Sequence, residues 1–127
     1  MSTANPRVLV VEDSPAMRSF VTAVLEADGG FDVVTASTGF EALKLLPRGR
    51  FDLFITDINM PDINGLELIR FIRDTPAHAK TPLLIISTDG TERDRDRGLK
   101  LGANAYLVKP FPPEQLLEMA RKLAGQG

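Results

Sequence analysis

Glu12 with Asp13, then Asp57, then Ser87 with Thr88, and finally Lys109 before Pro110 are the side chains of this sequence whose types could do chemistry together. Each group directly follows a short apolar run. Gathered at one edge, they would supply three carboxylates, a hydroxyl and one ammonium. Three anions held close repel one another, and without a cation at least one would take up a proton or move away. Such a set calls for a divalent metal. Oxygen ligands without cysteine or a nearby histidine select a hard ion, and Mg²⁺ suits because it accepts a few carboxylates and keeps waters that a phosphate can replace. A phosphoryl group could then approach Asp57, its oxygens stabilised by Mg²⁺, the Lys109 ammonium and the Ser87 hydroxyl. Asp57 would be the nucleophile, and the acyl phosphate it forms is labile to water, which suits a transient mark.

Those residues meet only if the chain folds so that the runs end side by side. Apolar stretches rich in β-branched residues at Arg7–Val11, Asp32–Thr35, Leu53–Thr56, Pro82–Ile86 and Ala105–Val108 read as short buried strands. Between them, apolar residues recur at helical spacing. The stripes are Met17, Phe20, Val21, Val24 and Leu25; Ala42, Leu45 and Leu46; Leu68, Ile69 and Ile72; and Leu116, Ala120, Leu123 and Ala124. Ser14 before Pro15 reads as a cap and first helical position, and Gly29 with Gly30 as a stop. The segment from Thr91 to Gly102 is the weakest helix. Its like charges fall at i, i+4, and Gly98 lowers its propensity further. Strands alternating with helices require crossovers, so the expected fold is a doubly wound α/β domain: a five-stranded parallel sheet with helices on both faces. Ligands collect beyond the carboxyl ends of such strands, which is where the chemical groups fall.

Composition bounds the alternatives. At 127 residues the chain is below the usual ~150 per domain, so one domain with one core is expected, with its packed part over about residues 6–124. Fifteen Lys and Arg against 17 Asp and Glu give a net charge of −2, which argues against a surface built to bind nucleic acid or coat acidic lipid. Absence of cysteine excludes disulfides, thiolate zinc sites and cysteine nucleophiles. The only apolar run near the start, Val8–Val11, is too short for a signal peptide or a membrane span, so a cytoplasmic protein is expected. The end, Gly125–Gly127, reads as a frayed tail.

The acidic pair Glu12-Asp13, the run Thr-Asp-Ile-Asn-Met-Pro-Asp-Ile-Asn-Gly-Leu around Asp57, Ser87, and Tyr106 with Lys109-Pro110-Phe111 together resemble the receiver domains of two-component response regulators. Single-domain regulators of the chemotaxis type are the nearest likeness, and no stretch long enough for an output domain follows. The resemblance implies a flavodoxin-like sheet of order 2-1-3-4-5, an order that general accounts of doubly wound folds already give for this family. It implies that Asp57 accepts a phosphoryl group from a phosphohistidine on a histidine kinase or phosphotransfer protein. Asp13 and Asp57 would bind Mg²⁺ directly, Glu12 directly or through water, and Asn59 by its backbone carbonyl. Lys109 would contact the phosphoryl group or, before phosphorylation, Asp57; Ser87 would move toward the phosphoryl oxygen, and the Tyr106 ring would swing inward behind Ser87. Targets would read the state on the face of the fourth helix, fifth strand and fifth helix. The Lys109-Pro110 bond is expected to be cis. Such a protein catalyses only its own phosphorylation and slow dephosphorylation. Departures from the common pattern are Glu12 in place of Asp, Ser87 without the methyl of Thr, Pro112 where a capping side chain would stand, and the charged fourth helix.

Taken singly, each of these residues has a plainer reading. Glu12-Asp13 alone is a solvated strand end, Asp57 ahead of Pro61 and Gly65 a turn former, and Tyr106 core packing. His78, between Pro76 and Pro82, reads as an ordinary surface loop residue; Met60 and Phe111 read as packing residues, and Glu92–Arg97 as a solvated helix face. An alternative function is a Mg²⁺-dependent phosphohydrolase with an aspartyl nucleophile. Enzymes of the haloacid-dehalogenase kind resemble Asp-x-Asp, whereas Asn59 stands two positions after Asp57.

Overall fold

A computed structural model describes residues 5–27 and 30–125. Its elements run β1 (Arg7–Val11), α1 (Pro15–Ala27), β2 (Asp32–Ala36), α2 (Gly39–Leu45), β3 (Leu53–Asp57), α3 (Gly65–Asp74), β4 (Leu83–Ser87), α4 (Glu92–Leu101), β5 (Ala105–Val108) and α5 (Pro113–Leu123), with short 3₁₀ turns at Leu46–Arg48 and Pro76–His78. The strands form one parallel sheet of order β2-β1-β3-β4-β5. Compared with the sequence expectation, β2 and β3 each reach one residue further and β4 is shifted one residue on. Asp57 and Ser87 are therefore the last residues of their strands.

β3 and β4 are buried along their whole length, as strands covered on both faces must be. In place of the single core expected, alternate side chains feed two apolar cores, because the sheet is covered by helices on both faces. Leu9, Phe54, Leu83 and Ile85 pack under α2, α3 and α4, while Val8, Val10, Leu53, Ile55 and Leu84 pack under α1 and α5. Phe111 belongs to the second core and meets the Phe20 ring at 5.9 Å. Met60, half-buried, packs against the first core. No helix of the described residues is long and apolar enough to cross a membrane.

The helix ends follow their chemistry. Ser14 Oγ accepts from the Met17 N–H at 3.3 Å, with Pro15 as the first residue of α1. Beyond that helix Gly30 adopts φ 69°, and the Phe31 N–H reaches back to the Leu25 carbonyl at 3.1 Å. Gly29 and the last two residues of the tail lie outside the described residues. Thr91 caps α4 through the Asp94 N–H, and α4 forms despite its charge pattern. Only Gly98 of this helix is buried, and a Cβ there would strike Ile85 Cδ1, so the residue that lowers helix propensity is the one that lets α4 approach the sheet. Pro112 precedes α5 without a side-chain cap.

His78 departs from the expectation of a surface loop residue. It is only 3% exposed, Nε2 lies 3.2 Å from the Leu46 carbonyl, and the ring meets Phe54 edge-on at 5.2 Å. Pro76, one of the two prolines that suggested an open loop, instead starts a 3₁₀ turn, Pro76–His78, in which the ring is buried. Arg73 ties this region together through five hydrogen bonds, to the carbonyls of His78 and Thr81, twice to that of Gly102, and to Asn104 Oδ1. Arg73→Ala is expected to lower stability by about 3 kcal/mol, since bonds from a charged donor are worth roughly 1.5–3 kcal/mol each and do not add fully. Arg73→Lys should restore less than half, because an ammonium cannot reproduce the planar fork. Urea unfolding of both variants checks this.

Candidate phosphoryl-acceptor site

Strand register alone brings the chemical residues together. Val11 pairs with Thr56, Asp57 with Ile86 and Ser87 with Val108, so Glu12, Asp57, Ser87 and Lys109 emerge along one edge. The Lys109 N–H donates to the Ser87 carbonyl at 2.7 Å, and the Lys109–Pro110 peptide bond is cis.

Lys109 Nζ stands between two buried carboxylates, 2.6 Å from Glu12 Oε1 and 3.0 Å from Asp57 Oδ2. Burial alone would lower the lysine's proton affinity, but hydrogen bonds to Glu12 and Asp57 outweigh it and hold the ammonium above its ordinary pKa. Glu12 is fully buried, and that burial pushes its carboxyl above the ordinary range against hydrogen bonds from Lys109 and the Ser14 N–H. Asp57 Oδ1 accepts from the Asn59 N–H at 3.2 Å. Asp13 is exposed beside them, and one carboxylate oxygen from each of Glu12, Asp13 and Asp57 lies within 4.8 Å of the others. Three acids thus stand together with one ammonium, which pairs with Glu12 and Asp57, an all-oxygen donor set with a surplus of negative charge that fits a hard divalent cation.

Ser87 is buried, and its Oγ accepts from the Asp89 N–H at 3.1 Å. The Tyr106 ring lies inward, 7% exposed, its hydroxyl donating to the Asp89 carbonyl at 2.7 Å and the Arg95 guanidinium 5.8 Å over its face. Burial, with Asp89 and Asp94 adding, raises the phenol's pKa against Ser87 and Arg95. Ser87 and Tyr106 thus both engage the loop that starts α4.

Asp62 is a residue that sequence reasoning passed over. Its two carboxylate oxygens accept from the Gly39 and Phe40 N–H groups at 3.1 and 2.8 Å, tying the loop after Asp57 to the start of α2. In sequence it stands after Pro61 as one more turn residue, and nothing there signals a bond across 22 positions. Desolvation opposes ionisation of Asp62, but hydrogen bonds from the backbone N–H groups of Phe40, Ile63 and Gly39 prevail and its pKa falls below the ordinary range. A depressed carboxyl contributes stability above its unfolded pKa and loses it as pH falls through the folded one. The stability gap between wild type and Asp62→Asn should therefore be constant near neutrality and close in acid, as urea midpoints measured across pH would show.

A family profile for the response regulator receiver domain matches residues 8–121. The chain is 38% identical over 122 residues to the chemotaxis protein CheY homolog of Campylobacter jejuni, covering 95% of this chain and 94% of that protein. It is 38% identical to chemotaxis protein CheY1 of Helicobacter pylori, covering 94% and 97%. Among solved structures, the chemotaxis response regulator CheY4 of Vibrio cholerae superposes with a TM-score of 0.88 at 37% identity, covering 94% of this chain and 98% of that one. The receiver domain of the Pseudomonas aeruginosa sensor histidine kinase PA1611, with a magnesium ion coordinated in its active-site cleft, gives 0.87 at 28% identity, covering 96% and 99%. With its fold, its strand-end residues and these relatives in agreement, the chain belongs to the response regulator receiver domain family.

Proposed function

We propose that Asp57 accepts a phosphoryl group from a phosphohistidine on a histidine kinase or phosphotransfer protein, and that the mark switches docking of a target protein. The observation that carries this reading is the gathering of the Glu12, Asp13 and Asp57 carboxylates around one edge, with Lys109 bridging the two buried ones.

Asp13 and Asp57 would hold Mg²⁺ directly, with the Asn59 carbonyl. Glu12 has both oxygens engaged, by Lys109 and by the Ser14 N–H, which favours a contact through water. When bound, the ion supplies positive charge against the carboxylates and the phosphoryl oxygens. A carboxylate oxygen of Asp57 attacks phosphorus. The P–N bond breaks, the imidazole nitrogen keeps its electron pair and takes a proton, and an Asp57 acyl phosphate remains. Lys109 has three donors, of which Glu12 and Asp57 occupy two, so one is left for a phosphoryl oxygen. Ser87 Oγ accepts one bond and can turn its own hydrogen toward the same group.

Ser87 and Tyr106 both bind the Asp89 segment, so a pull on Ser87 would shift the start of α4 and the face formed by α4, β5 and α5. That face is the proposed target site. Slow hydrolysis of the acyl phosphate would reset the protein, which modifies itself and turns over no separate substrate. A cytoplasmic signalling role, in chemotaxis as for the relatives named above, goes with this reading, without nucleic-acid contact or membrane insertion. Asn59, standing where a phosphohydrolase would need a second acid, favours the switch over the hydrolase. Incubation with acetyl phosphate and Mg²⁺ should add one phosphoryl group by mass, mapped to Asp57 and prevented by a chelator. Rapid multiple turnover of small phosphate esters would contradict the switch.

A further inference from the structure

We propose that the groove between α3 and α4 docks an acidic amphipathic helix of a partner protein. Leu66, Glu67 and Arg70 of α3 line it on one side, and Arg97, Lys100 and Leu101 of α4 on the other, around a volume of about 440 Å³. Leu66 and Leu101 are half-buried, with one side on the core and the other toward the groove, and they form an apolar floor. The rim carries three cations against Glu67 alone, although the whole chain has a net charge of −2. Among the described residues Arg70 and Lys100 have no ion-pair or hydrogen-bond partner, and Arg97 is held only by Asp94 at 3.8 Å. Along α3 the surface continues to Phe71, 50% exposed, in an adjoining hollow lined also by Glu67, Arg70 and Asp74, so the excess of positive charge is confined to the groove itself.

Charge and shape together name the occupant. Unpaired guanidinium and ammonium groups around an apolar strip complement carboxylates flanking an apolar anchor. Arg97, Lys100 and Leu101 recur at i, i+3 and i+4, and Glu67 and Arg70 at i, i+3, so both walls repeat at the helical interval of such a ligand. The groove uses the flank of α4 that faces α3, away from β5 and α5, and the inference does not depend on phosphotransfer to Asp57.

The probe is a synthetic helical peptide with glutamates at i, i+4 around a single phenylalanine, together with one version carrying lysine for glutamate and one carrying alanine for phenylalanine. Titrated into ¹⁵N-labelled protein, the acidic peptide should move the amides of Leu66, Arg70, Lys100 and Leu101, and bind more weakly as salt rises. The lysine and alanine versions should bind at least about tenfold more weakly. Arg70→Glu with Lys100→Glu should cost a similar factor while leaving the amide spectrum outside the groove, and phosphorylation by acetyl phosphate, unchanged. Shifts centred elsewhere, no shift at all, equal binding of the lysine peptide, or binding by wild type that ignores salt would overturn the proposal, with no reliance on the variant.

Discussion

Asp57→Asn is expected to abolish phosphoryl acceptance while leaving the fold intact. The amide is nearly the same size as the carboxylate, so β3 and its neighbours keep their packing. It carries no anionic oxygen, however, and cannot form the acyl phosphate. Structurally the change is mild because Lys109 retains Glu12 at 2.6 Å, and the repulsion between Glu12 and Asp57 is removed. Mass spectrometry after incubation with acetyl phosphate and Mg²⁺ should show full loss of the added group, while urea unfolding shows stability equal to or above wild type. Modification of the variant at the wild-type rate would refute Asp57 as acceptor.

Lys109→Met should have the largest effect on stability of any change at the site. Glu12 is fully buried and Lys109 is 10% exposed at its side chain, so removing the ammonium leaves two carboxylates close together in a poorly hydrated place. Breaking a buried pair in this way costs about 3–5 kcal/mol, although proton uptake by Glu12, whose pKa is already raised, relieves part of it. Added Mg²⁺ would supply the missing positive charge and bind the native state only. The deficit should therefore shrink as Mg²⁺ rises, by more than wild type gains over the same range. Thermal melts with and without Mg²⁺ measure both quantities, and a deficit indifferent to Mg²⁺ would separate Lys109 from the metal site. Phosphoryl acceptance should fail as well, since the donor left for the phosphoryl oxygen is gone.

What could be read in advance was whatever depends on local pattern and topology. Runs such as Leu53–Thr56 are apolar because both faces of a central strand are covered, and parallel strands in register bring their ends to one edge. Glu12, Asp57, Ser87 and Lys109 were legible for that reason. Long-range side-chain bonds left no such trace. Arg73 sits in an ordinary helical run, yet its guanidinium reaches Asn104, 31 residues on, and Asp62 finds its partners 22 and 23 positions back. His78 was misread because prolines signal a turn without telling which way the next ring points. The packing role of Gly98 was not legible because propensity does not register the closeness of Ile85.

Phosphoryl acceptance as proposed requires that Asp13, just after β1, and Asp57, at the end of β3, share one divalent ion. Crystals grown with Mn²⁺, which locates itself by anomalous scattering, test it most directly. A single strong peak within bonding distance of the Asp13 and Asp57 carboxylates is the predicted result. A site free of metal at saturating Mn²⁺, or a peak held by other residues, would contradict it.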